Sequence, residues 1–77
     1  TLTPEQKIKY SEIEFFYRAF NENYATYNQI KGTNPSGANW YWTNTMNALN
    51  QITIRYNQRA AAGPLPPDYP AIPVANY

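Results

Sequence analysis

Between residues 10 and 27 the chain places Tyr10, Ile13, Tyr17, Phe20, Tyr24 and Tyr27 at alternating spacings of three and four. That period fixes a helix with one continuous apolar stripe, and Phe16 and Ile30 widen it to the breadth of a core-facing bundle helix. Its contents are unusual, because aromatic rings stand where a coiled coil would carry Leu and Ile. Upstream, "TLTPEQKIKY" supplies the start. Thr3 is an N-cap, Pro4 suits the first helical position, and Gln6 closes a capping box. Leu2 is placed to staple onto Ile8 or its neighbour. Gly32 offers the left-handed stop, so the expected helix runs over about 4–31. Ile8, Phe15 and Ala19 fall on another face and mark a second contact surface.

"GTNPSGAN", residues 32–39, is rich in turn formers and contains an Asn-Pro pair that disfavours helix before the proline. A second helix over about 40–62 follows, capped by Ser36 or Asn39 and stopped by Gly63 and Pro64. Its main stripe is Trp42, Met46, Leu49, Ile52 or Thr53, Tyr56 and Ala60. Trp40, Ile54 and Ala61 lie on another side. Each helix thus carries more apolar surface than one partner helix covers.

The remaining residues, 63–77, read "GPLPPDYPAIPVANY" at the end of the chain. Pro64, Pro67, Pro70 and Pro73 are three apart, so they line one edge of a polyproline II helix, which has three residues per turn. Pro66, Tyr69, Ile72 and Ala75 line a second edge, and Leu65, Asp68, Ala71 and Val74 a third. One charge in the stretch, and no Ser, Glu, Lys or Gln, is not the composition of a solvated disordered tail. Twelve residues at about 3.1 Å span roughly 37 Å, the length of a helix of about 24 residues at 1.5 Å. The tail therefore matches a full helix, on its own chain or on a neighbouring subunit, with the neighbour favoured. Within it, Leu65, Pro66, Pro67 and Tyr69 form the "LPPDY" pattern that WW domains bind, and "PLPP" satisfies the PxxP pattern of SH3 ligands.

Seventy-seven residues make a single small domain, which buries only about 60% of its unfolded surface and usually needs a staple or a partner. There is no cysteine, so no disulfide, thiolate metal site or thiol nucleophile. There is no histidine, hence neither the commonest metal ligand nor the commonest general base. Glu12 and Glu14 point to different helix faces, Glu5 and Glu22 converge with no nucleophile, and the glycines lack phosphate-loop spacing. No enzymatic activity, cofactor or metal is expected. Six basic and five acidic residues give a net charge of +1, too weak a field to attract nucleic acid. Arg55 and Arg59 fit the negative end of a helix dipole. No apolar run approaches the ~20 residues of a membrane span. Thr1 fits removal of an initiator Met or cleavage of a longer precursor.

Ten Asn, four Gln and thirteen aromatics, against few charges, are the composition of an interface. The sequence therefore predicts an all-α chain, an antiparallel two-helix hairpin with a polyproline II tail. It predicts a structural role, as a subunit of a homomeric filament, tube or virus particle, extracellular or virion-associated. The expected partners are copies of the chain and, beside them, other assembly proteins. The expected interface residues are Phe15, Tyr17, Phe20, Tyr24, Trp40, Trp42, Ile54, Tyr69 and Ile72. Two alternatives belong to other classes: an adaptor presenting "LPPDY", and a carbohydrate or peptide binder using Trp40 and Trp42 as a stacking platform.

Overall fold

A computed structural model describes residues 2–77. The chain is mostly helical, with α1 (Pro4–Lys9), α2 (Ser11–Ile30) and α3 (Pro35–Ala61), and no strand among the described residues. The two long helices α2 and α3 pack together as a helical hairpin, within a body of 44 × 24 × 16 Å.

The capping box forms as the sequence predicts. Thr3 Oγ1 accepts from the Gln6 amide at 3.2 Å, and Gln6 Oε1 accepts from the Thr3 amide at 3.1 Å. The staple does not form with Ile8, which stands 82% exposed, while Leu2 is buried in the core. The first helix is also not continuous. Tyr10 leaves the helical region (φ −114°, ψ 45°) and separates α1 from α2. The break costs little hydrogen bonding, because the Tyr10 amide still donates to the Gln6 carbonyl at 2.8 Å and its carbonyl accepts from Ile13 and Glu14. In exchange the Tyr10 ring is buried, with its centroid 4.9 Å from that of Tyr69. The apolar period runs unchanged through the break, so periodicity alone does not reveal it.

The connection is shorter than residues 32–39. Gly32 does not take the left-handed conformation expected of it; the sole positive-φ glycine among the described residues is Gly63. Instead the Thr33 and Asn34 amides both donate to the Ile30 carbonyl, at 3.0 and 2.7 Å. Asn34, held extended by the following proline (φ −139°, ψ 78°), is itself the N-cap, in place of Ser36 or Asn39, and accepts from the Gly37 amide at 3.1 Å. Pro35 occupies the first turn, where its missing amide is no loss. A side chain at Gly37 would place its Cβ 2.6 Å from Nδ2 of the capping Asn34 side chain, so glycine there protects the cap.

Where the helices meet, α3 does not present the large stripe read from sequence. Its buried residues are Ala38, Thr45, Ala48 and Ile52, facing Ile13, Tyr17, Phe20 and Tyr27 of α2. The rings of α2 leave no room for a second row of rings. Small residues let the backbones approach, and Trp42, Leu49 and Tyr56 move to the flank, where they are half-buried. Fully buried Thr45 is accommodated because its hydroxyl donates to the Tyr41 carbonyl at 2.8 Å. Ile52, fully buried, closes the core. Ile52→Ala should destabilise the fold by about 2–4 kcal/mol through lost transfer energy and a residual cavity. A thermal melt followed by circular dichroism would report it as a lowered Tm.

Candidate functional site

Two surfaces flank the α2–α3 contact. One is covered by the proline-rich segment after α3, and the other is open.

The covered surface is organised by Tyr10, Tyr17 and Tyr24, two heptads along one side of the first helical stretch, and all three hydroxyls reach the C-terminal segment. Tyr10 Oη donates to Asp68 Oδ1 at 2.7 Å. Tyr17 Oη lies 3.1 Å from the Pro70 carbonyl oxygen and 2.8 Å from that of Ala71. Tyr24 Oη accepts from the Asn76 amide at 2.9 Å. At the far end the Tyr77 ring packs on Tyr27 and Trp42, with centroids 5.8 and 5.2 Å apart, and its hydroxyl donates to Asn39 Oδ1 at 2.9 Å. In this single chain the segment lies along α1 and α2. Its three-residue beat is also interrupted, since the Tyr69 amide donates to the Pro66 carbonyl in a turn through Pro67 and Asp68.

That turn sets up a latch. Lys9 Nζ approaches the Asp68 carboxylate at 3.1 and 3.3 Å, and Gln6 Nε2 donates to the Asp68 carbonyl at 2.7 Å. The hydrogen bond from Tyr10, then that from Lys9, holds the Asp68 carboxyl below the usual carboxylate range. Asp68 in turn raises the Lys9 ammonium. Burial, helped by the nearby Tyr69 and Tyr56, pushes the Tyr17 phenol up to about 12. The latch was legible only as the single charge in the tail, and sequence gave no hint of its partner.

The open surface is a groove between α2 and α3 lined by Phe15, Phe16, Ala19, Asn23, Asn44, Asn47, Ala48 and Gln51, without a charged side chain. Phe15 meets Phe16 edge-on at 5.4 Å, and the Arg55 guanidinium sits over the Phe16 ring at 4.7 Å. Phe15 is 59% exposed, Trp40 61% and Ile54 50%.

The sequence-predicted interface residues therefore divide. Tyr17 and Phe20 are buried within the chain. Tyr24 and Trp42 belong to an internal aromatic cluster with Tyr27. Tyr69 is wedged between Tyr10 and Tyr56, the latter 5.6 Å away, and Ile72 lines the seam under the tail. Phe15, Trp40 and Ile54 remain on the surface. Trp40 and Trp42, about 200° apart around a helix, do not form one platform: Trp42 turns inward while Trp40 pairs edge-on with Tyr41 at 4.8 Å. In the ligand pattern, Leu65 and Pro66 are half-buried and Pro67 is exposed.

Among the described residues no group of three or more acidic, His or Cys side chains is placed to hold a metal ion. No helix is long and apolar enough to cross a membrane. Comparison with known protein families, with curated proteins and with solved structures gave no match.

Tyr17→Phe keeps the ring and removes the bond to the tail carbonyls, and should cost about 0.5–1.5 kcal/mol. Hydrogen exchange at the Tyr69–Tyr77 amides should rise more than exchange in α3. A carboxyl depressed in the folded state stabilises above its unfolded value and loses that contribution as pH falls through the folded one. Acidification below the ordinary carboxylate range should therefore release residues 68–77 before the helices melt, which amide exchange measured against pH would resolve. In alkali the neutral Tyr17 phenol contributes fully below its unfolded pKa of about 10 and loses that contribution as pH rises toward about 12.

Proposed function

We propose that this chain is a structural subunit of a homomeric assembly, such as a filament, tube or virus particle. In this reading each copy is an antiparallel helical hairpin with its proline-rich tail drawn along it in a polyproline II-like course. Tyr27 meeting Trp42 at one end while Arg55 covers Phe16 at the other supports the antiparallel course. The contacts of Asp68, Pro70, Ala71 and Asn76 in order along α1 and α2 support the course of the tail.

The observation that carries the reading is the open groove lined by Phe15 and Phe16, with exposed Trp40 and Ile54 at helical spacing from its Asn44, Asn47 and Gln51. Helix faces on small proteins that lie against water usually carry Lys and Glu. This groove is lined by rings, alanines and amides. Charge depletion with aromatic enrichment is the compositional mark of an interface core. Asn and Gln each carry a donor and an acceptor, so such a surface can pair with its own copy without like-charge repulsion.

The adaptor reading is less favoured, because Asp68 and Tyr69 of "LPPDY" are both engaged. A WW domain would have to pull Tyr69 from between Tyr10 and Tyr56 and break the latch. Replacing Tyr69 by Ala separates the two: the structural reading expects lowered thermal stability, the adaptor reading loss of partner capture with stability unchanged.

Light scattering coupled to size exclusion at micromolar concentration tests the proposal directly. Masses above the 8.9 kDa monomer are expected. Phe15→Ser combined with Trp40→Ser should reduce them while leaving helix content intact. A clean monomer would sink the reading.

A further inference from the structure

From the seam under the C-terminal segment we infer that it is an exchangeable acceptor site, and that within an assembly it takes residues 68–77 of a second copy. This rests on the homomeric reading and names the element that copies would trade.

The seam is built to hold a peptide. Tyr17 donates to main-chain carbonyls of Pro70 and Ala71, and Tyr24 accepts from the main-chain amide of Asn76. Lys9 and Tyr10 fix the entry point by binding the one carboxylate, that of Asp68. None of these contacts depends on which chain supplies the segment, so a second copy's tail would make the same set. Exchange of an identical element conserves the contacts and changes only the connection, which is why it is a low-cost route to association.

The connection permits it. After α3 the chain passes through Ala62, Gly63 and Pro64, where the backbone bonds are Ala62 to the Gln58 carbonyl and a long 3.3 Å bond from Gly63 to the Ala60 carbonyl. Gly63 sits at φ +152°, and no atom lies within 4 Å of the position its Cβ would take. The chain can leave α3 in another direction there with little to break. Along the docked segment Pro70 is the sole buried residue, and Val74 is 78% exposed. Regions with few buried contacts open at low free energy. An opened seam, however, leaves Tyr10 and Tyr17 facing water and must be refilled. The occupant the site is shown to fit is this tail. Copies held side by side supply tails at an effective concentration on the order of millimolar, the range a short flexible tether also gives.

The absence of native cysteine makes the test clean. Asn21 and Pro73 both line the seam. The Asn21→Cys chain and the Pro73→Cys chain are mixed, allowed to assemble and treated with a short bismaleimide, and bridges are mapped by mass spectrometry. In this mixture a 21–73 bridge can form only between two chains. Exchange predicts that 21–73 bridges outnumber 21–21 and 73–73 bridges several-fold, and that the excess grows with protein concentration. The doubly substituted chain, Asn21→Cys with Pro73→Cys, reports the in-chain arrangement. If light scattering finds the mixture assembled, yet 21–73 bridges stay at the level of the other pairs while the double variant bridges within itself, exchange is overturned and the assembly reading stands. A monomeric mixture with no interchain 21–73 bridge overturns both.

Discussion

A phenol can be buried only where its hydroxyl finds a partner, and the arrangement of this chain follows from that condition. Tyr10 and Tyr17 lie within the core, and their hydroxyls donate to the Asp68 carboxylate and to the Pro70 and Ala71 carbonyls. On a two-helix scaffold the partners for such hydroxyls are scarce, because helix carbonyls are already engaged in their own ladder. An extended proline-rich segment has the opposite inventory. Its prolines lack amides and its carbonyls have no internal bonds, so it brings acceptors and asks for few donors. The tail therefore serves as the acceptor strand that lets α2 bury tyrosine in place of leucine. No buried side-chain polar atom among the described residues is left without a partner.

The same choice shapes α3. Rings on one helix and a third layer on the flank require the facing helix to be thin at the contact, which is what Ala38, Thr45 and Ala48 supply. Here the sequence pattern misled, since Trp42, Met46, Leu49 and Tyr56 repeat at helical spacing as convincingly as a true core stripe. They do face inward, but toward the flank, where Tyr56 meets Tyr69 and Trp42 meets Tyr77. Periodicity identifies an apolar face; it does not say which of two partners covers which edge of it. Capping chemistry is more local and was more legible. Thr3, Pro4 and Gln6 form the cap their order predicts, whereas Asn34 reads equally as a turn residue or an N-cap, because the pre-proline restriction suits both. The break at Tyr10 left no trace, because it is set by a ring and a carboxylate 58 residues apart.

For the candidate site the limits are similar. Nine residues were expected at an interface on the strength of being apolar or aromatic. Sequence could not separate rings that pack within the chain, such as Tyr17 and Phe20, from rings that remain outside, such as Phe15 and Trp40. The distinction depends on the tail, which covers one flank of the hairpin and leaves the other open.

That asymmetry carries the functional argument furthest. Without cysteine these residues have no disulfide to draw on, and covering one flank with the proline-rich segment adds a layer without adding a second core. The uncovered flank then holds the residues that water suits least, and holds them without the Lys and Glu that keep a helix face solvated. Arg59 lies in the last turn of α3, Arg55 covers the Phe16 ring, and Lys9 and Asp68 form the tail latch. Had the tail been a passive cover, its best placement would have been over that apolar groove. It lies instead over the Tyr10 and Tyr17 hydroxyls, which it supplies with acceptors, and the apolar flank stays open.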